Sequence, residues 1–264
     1  MRKLGISLVL IFLVLVGVYF AVFRPEKYVE EDLYSKIKER GTIKVGVNMD
    51  SRPFAYYDKN GNLQGYDIDL ARYIAQYLLH SPNAVEFSSV TSEDRMLKVS
   101  TGEVDMVIAT LTITPQRQEL IDFSVPYDVA GQALLVRTNS KITSITDLYE
   151  QNIGVVFGTT AEKNMLTLAP MANIIGFKDY DDAYKALKNK QIDALTSDDT
   201  LLSRYAYEDP NVKLLPKKYS KEPYGVAFKK GESTKKLREN VDYALKDMYR
   251  KNVIVRIHKK WLKF

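Results

Sequence analysis

Three short segments place groups able to bind a small charged molecule just beyond apolar, strand-like runs. In the first, Ala109-Thr110-Leu111-Thr112-Ile113-Thr114-Pro115-Gln116-Arg117, three threonines alternate along an extended stretch and share one side. Pro115 then opens a helical turn that carries Arg117 back toward them. A guanidinium is a planar fork matched to a carboxylate. Read alone, Arg117 is better taken as an arginine on a solvated helix turn, with the threonines in a β-edge.

The second segment, Val156-Phe157-Gly158-Thr159-Thr160-Ala161-Glu162, sets a glycine and two hydroxyls at a strand-to-helix turn, where backbone N–H groups can receive an anion. It lacks the Lys-Ser/Thr of a phosphate loop and the dinucleotide fingerprint, so a small carboxylate suits it better than a phosphate. An ordinary helix cap explains the same residues. The third, Asp193-Ala194-Leu195-Thr196-Ser197-Asp198-Asp199, ends a buried run in adjacent acids. Capping accounts for one of them and leaves the other free to meet a cation. A guanidinium, an anion-friendly turn and a carboxylate together are what a zwitterion needs, because each of its charges is costly to desolvate unpaired.

Composition narrows the chemistry further. The chain has 264 residues, 45% of them apolar and 27% charged, which is the balance of a globular protein with a core. The net charge of +5 is small for this length and spread along the chain, so nucleic acid is not an expected partner. With no cysteine, disulfides, thiolate metal sites and cysteine nucleophiles are excluded. His80 and His258 are the only histidines, too few for a histidine metal cluster and a poor basis for a histidine triad.

The elements that position these groups come after an N-terminal apolar run. Leu4 to Phe23 carries no charge and is long enough, as a helix, to cross a bilayer of ~30 Å. An uncleaved anchor is expected over a cleaved signal, since no small-x-small cleavage site lies nearby. Either form delivers the chain beyond Arg24 to the far side of a membrane. Residues 24–40 read as a charged juxtamembrane stretch that becomes a helix stopped by Gly41. Strands are expected at 43–47, 84–88 and 106–109, with helices at 66–79 and 92–100. The pattern restarts with strands at 133–136, 153–156, 173–177, 192–196 and 212–215, and helices at 180–189 and 199–207. A strand at 224–228, a long helix capped by Ser233 and a terminal helix carrying Trp261 complete it. This alternation predicts α/β units with mostly parallel strands, two lobes without a floppy linker, and a ligand in the cleft between them.

With these segments in place, the chain resembles the extracytoplasmic solute-binding proteins of polar amino-acid ABC transporters, the bacterial family 3 solute-binding proteins. The likeness runs from about Gly41 onward. It rests on Arg52-Pro53-Phe54-Ala55-Tyr56-Tyr57-Asp58, Gly65-Tyr66-Asp67-Ile68-Asp69-Leu70-Ala71, the threonine segment through Arg117, Ile121-Asp122-Phe123-Ser124-Val125-Pro126-Tyr127, and Glu222-Pro223-Tyr224-Gly225-Val226-Ala227-Phe228. The resemblance implies a two-lobed, periplasmic-binding-protein-like α/β fold of type II behind the N-terminal transmembrane or signal segment (1–24) and a juxtamembrane stretch (25–40). The first lobe would run over 41–130, the second over 131–223, and the first would resume over 224–264. Crossings would lie near Tyr127–Gly131 and Glu222–Val226.

It also implies roles. Arg117 matches the arginine that clamps the ligand α-carboxylate, helped by Thr112 and backbone at Thr110. Thr159 and Thr160 match second-lobe residues closing over the same carboxylate, Asp198 the acid pairing with the α-ammonium, and Phe54 an aromatic wall. Arg95 stands where glutamate and aspartate binders place an arginine, whereas a second cation found in them aligns with neutral Asn48. Arg52 is a candidate to compensate. The expected function is delivery of glutamate or aspartate to a membrane permease by a soluble part that is monomeric, with no cofactor or metal. Glutamine or asparagine binding, a sensory domain, and a cyclohexadienyl dehydratase-like enzyme are the alternatives.

Overall fold

The computed structural model describes residues 32–262. The expected anchor at 4–23 lies outside them, and among the described residues no helix is long and apolar enough to cross a membrane. The first helix, α1 (Leu33–Arg40), is capped by Asp32, whose side chain accepts from the Tyr34 N–H. Gly41, at φ 73°, ends it as its sequence position predicts.

The first lobe then builds β1 (Ile43–Val47), a hairpin of β2 (Tyr56–Tyr57) and β3 (Leu63–Gln64), α2 (Tyr66–Leu79) and β4 (Val85–Ser89). It continues with α3 (Arg95–Thr101), β5 (Met106–Val107), α4 (Pro115–Gln118) and β6 (Ile121–Phe123). In α2 the helical spacing buries Ile68, Ala71, Ile74, Ala75 and Leu78 against the sheet, each large aliphatic side chain contributing about 1.5–3 kcal/mol. A crossing strand, β7 (Asp128–Ala130), leads to β8 (Gln132–Arg137), β9 (Asn152–Val156), α5 (Thr160–Leu168) and β10 (Asn173–Phe177). The second lobe goes on through α6 (Tyr180–Lys188), β11 (Ala194–Asp198), α7 (Asp199–Glu208) and β12 (Val212–Leu214). The chain returns along β13 (Glu222–Tyr224), β14 (Ala227–Lys229), α8 (Lys235–Arg250) and α9 (Val253–Trp261).

Two five-stranded sheets result, ordered β4-β1-β5-β14-β6 and β10-β9-β11-β8-β12. The expectation of mostly parallel strands holds: in each sheet four strands run one way and one, β14 in the first and β8 in the second, runs against them. In each sheet the two pairings at one side are parallel and the two at the other are antiparallel. Parallel neighbours need a crossover helix, whereas β8 and β14 enter their sheets directly from the crossing strands and run the opposite way. The crossings themselves pair as an antiparallel ribbon, with Pro223 opposite Val129.

Ser233 corrects the expected helix cap. It lies inside a 3₁₀ turn, Glu232–Thr234, that opens at Gly231, and α8 begins after it, so its hydroxyl caps nothing. Where the ribbon meets the first lobe, Phe54, Tyr66, Tyr127 and Tyr224 are all fully buried with ring centroids 5.6–6.1 Å apart. Aromatic packing of this kind gives the hinge a rigid base.

Candidate functional site

The threonine segment leaves the end of β5 with Thr110 at φ 47°, in the left-handed region. Thr112 then bridges to Tyr224 on the returning strand. Thr114 caps α4 by accepting from the Arg117 N–H, and Pro115 supplies the first helical residue. This short turn carries the Arg117 side chain back, as expected. Its Nη1 donates to the Thr112 carbonyl at 2.9 Å, and its Nη2 crosses to the Gly158 carbonyl of the second lobe at 3.0 Å.

Arg95 opens α3 and is 3% exposed. Its Nη1 donates to the Ala109 carbonyl, and its Nη2 lies 3.5 Å from that same Gly158 oxygen. Two guanidiniums of one lobe thus converge on a single carbonyl of the other. Gly158 is demanded there twice over. Its φ is 75°, and a Cβ would stand 2.5 Å from the Ser92 carbonyl.

Opposite them, β11 ends in Asp198, which is buried and accepts from the Tyr224 hydroxyl at 2.5 Å. Its neighbour Asp199 begins α7, accepts from the Gly131 N–H and pairs with Lys218 at 2.5 Å, so the expected side-chain cap is not made by either acid. Burial pushes the Asp198 carboxyl up to about 7, a rise that the Tyr224 hydroxyl moderates. Burial, and then the charge of Arg95, push Arg117 down to about 9, with Glu222 and Asp198 opposing the fall. Desolvation also lowers Arg95. The shut cleft therefore buries unlike charges at some cost, an arrangement suited to a guest carrying both signs.

Sequence comparison matches residues 43–264 to the bacterial extracellular solute-binding proteins, family 3. The chain belongs to that family. It is 38% identical over 236 residues to the ABC transporter glutamine-binding protein of Bacillus subtilis, covering 89% of this chain and 86% of that one. It is 41% identical over 197 residues to a glutamine-binding protein of Geobacillus stearothermophilus, covering 74% and 75%. The crystal structure of a cysteine-binding protein from Campylobacter jejuni superposes with a TM-score of 0.84 at 33% identity, covering 88% and 93%.

Within this family 3 protein, the remaining expected residues fall in four places. Thr159 is buried, caps α5 through the Glu162 N–H, and donates to the Val156 carbonyl, so its hydroxyl is already engaged. Thr160, the first residue of α5, is half-buried beside it. Phe54 is fully buried and packs edge-on against Tyr224, whose hydroxyl holds Asp198. Its ring is thus part of the floor under the site. Asn48 is buried and turned into its own loop, where Oδ1 accepts from the Asp50 N–H. Arg52 does not compensate for it. The guanidinium lies over the Tyr56 ring and pairs with Glu208 of the second lobe at 3.0 Å, at the cleft rim.

Sequence reasoning missed Tyr180, which is buried at the start of α6, accepts from Ser197 at 3.1 Å, and faces Asp198, Arg95 and Ser92. It also missed Glu222, buried on β13 and bonded to Ser220 and Asn164. Tyr224 and Glu222 lie inside the Glu222–Phe228 motif, which was a usable signal. Nothing in the local pattern distinguishes Tyr180 from a core tyrosine.

Proposed function

We propose that the protein is the amino-acid-binding component of an ABC importer, closing its lobes over one free α-amino acid and presenting it to a membrane permease. The observation that carries this is the pair of guanidiniums, Arg95 and Arg117, meeting Gly158 across the cleft with the Asp198 carboxyl in the same enclosure. In this reading Arg117 and the Thr110–Thr112 backbone take the α-carboxylate, and Asp198 takes the α-ammonium. Thr159 and Thr160 shape the closing wall through the turn of α5. The lobes are assigned as 41–130 with 224–264, and 131–223. Names of the Bacillus and Geobacillus relatives support the transport reading, as does their being binding proteins and not enzymes.

Glutamine is the favoured ligand. The names of the Bacillus and Geobacillus relatives, both glutamine-binding proteins, support this choice. Glutamate is the second reading, and one observation favours it. The Arg95 Nε is buried without a hydrogen-bond partner, and a side-chain carboxylate would supply one. Calorimetric titration of the chain with each of the twenty amino acids tests both. One-to-one binding, tightest for glutamine, is expected; heat from none of them would sink the receptor reading.

The apolar run at 4–23 is assigned as an anchor that holds this receptor at the outer face of the membrane. The protein should then sediment with membranes after high-salt washing, keeping its N-terminus. A soluble form starting between residues 20 and 30 would refute the anchor alone.

A further inference from the structure

The motif Arg52-Pro53-Phe54-Ala55-Tyr56 carries a cation for which the cleft reading has no use. Arg52 belongs to the first lobe, and its Nη1 meets Oε1 of Glu208, the last residue of α7 in the second lobe, at 3.0 Å. The two side chains are 47% and 43% exposed, so the pair stands at the rim and outside the ligand enclosure. Exposed ion pairs contribute little in general, because holding two long side chains in one geometry costs rotamer entropy and salt screens the attraction.

Part of that cost is met here before the lobes touch. The Arg52 guanidinium lies over the Tyr56 ring, 5.0 Å from its centroid. Trp261 of α9 packs edge-on against Tyr56 at 6.2 Å, and its Nε1 donates to Asp69 of α2 at 2.8 Å. All four residues belong to the first lobe, so this stack needs no closure to form. On the other side, α7 starts from Asp198 in the cleft and ends at Glu208 on the rim, about 15 Å away along one helix. The acid of the site and the acid of the rim therefore move as one body. Arg204, one turn back on α7, is held by Asp181 of its own lobe at 2.7 Å, which leaves Glu208 to Arg52.

We infer that Arg52 and Glu208 are positioning residues that latch the shut cleft: an ion pair made only when the lobes close, which sets how long the ligand stays without touching it. This inference rests on the cleft reading above, since it needs lobes that part and close around a guest. The pair forms after the ligand has entered, so its effect falls on release and not on capture. Being half-exposed, it also makes release sensitive to salt.

A double-mutant cycle on the full chain tests it, with glutamine as the probe and release followed by energy transfer between labels on the two lobes. Arg52→Met and Glu208→Gln should each speed release about threefold, the size open to an exposed pair, with the rate of capture unchanged. The double variant should release no faster than either single one, because a pair can be broken only once. Raising salt from about 0.05 to about 0.5 M should speed wild-type release by a similar factor, and that of Glu208→Gln by less. Melting temperatures without ligand should agree within about 2 °C, since neither change touches the interior of a lobe. Single-variant effects below about 1.5-fold, or effects that multiply in the double variant, overturn the latch and leave the cleft reading standing. If the wild type binds no glutamine, the cleft reading has failed, and energy transfer in the ligand-free protein decides the latch. A closed population that falls in Glu208→Gln supports it, and one that does not fall refutes it.

Discussion

Arg117 Nη2 lies 3.0 Å from the Gly158 carbonyl, so the side chain read as the ligand clamp is also a bond between the lobes. Clamping and closure are therefore one event at this position. An incoming carboxylate completes a guanidinium that the second lobe has already reached.

Gly158 is the place to separate closure from folding. Gly158→Ala sets a methyl against the Ser92 carbonyl only when the lobes are shut, besides straining a left-handed turn. Ligand affinity should fall at least tenfold, while the melting temperature without ligand drops by only a few degrees, the size expected for about 1 kcal/mol. Scattering from the ligand-saturated variant should remain that of the open form. Wild-type compaction would remove Gly158 from the closure mechanism.

Truncating Arg117 or Asp198 leaves one charge of the bound zwitterion buried and unpaired, at a cost of about 2–5 kcal/mol in binding. Arg117→Lys should recover little, since an ammonium cannot reproduce a two-point fork. Calorimetry checks this directly, and binding within threefold of wild type for either alanine variant would mean that the ligand lies elsewhere.

Closure without ligand should depend on pH with a definite sign. Opened to solvent, Asp198 returns toward the ordinary 3.8; in the shut cleft burial raises it to about 7. The closed form thus binds more protons between these values, and lowering the pH from 8 to 5 shifts the ligand-free protein toward closure by at most about tenfold per unit. Arg117 stays protonated throughout this window. Energy transfer between labels on the two lobes reports the shift, and Asp198→Asn should flatten it. A wild type that opens as pH falls would contradict the assignment.

Arg95 decides between the two ligand readings. If glutamine is the ligand, Arg95→Met should weaken glutamine and glutamate by similar factors, because the guanidinium then acts chiefly on the Ala109 and Gly158 backbone. A selective loss of glutamate, together with a wild type that prefers glutamate, would instead mark Arg95 as the partner of a side-chain carboxylate.

Much of this is legible in the chain. The helix at 66–79 and the strands at 43–47 and 173–177 can be read to the residue, because apolar periodicity is a local signal. The return of Arg117 toward the threonines is legible too, since Pro115 and Thr114 dictate that turn within four residues. The reversed entry of β8 and β14 is not. A strand's direction in a sheet depends on where the chain has been, and its own sequence carries no mark of it.

The residue types of a zwitterion site, and the strand ends that carry them, were therefore determined by sequence alone. Only the tertiary structure decided their partners. It turned Phe54 inward beneath Tyr224, spent Thr159 on capping, drew Arg52 to the rim, and brought Tyr180 and Glu222 in beside Asp198. Each of these depends on atoms more than a dozen residues apart or on the approach of one lobe to the other, except the cap, where a local signal was already ambiguous. Local periodicity encodes elements, while burial and long-range contact choose which of their polar groups remain for a ligand.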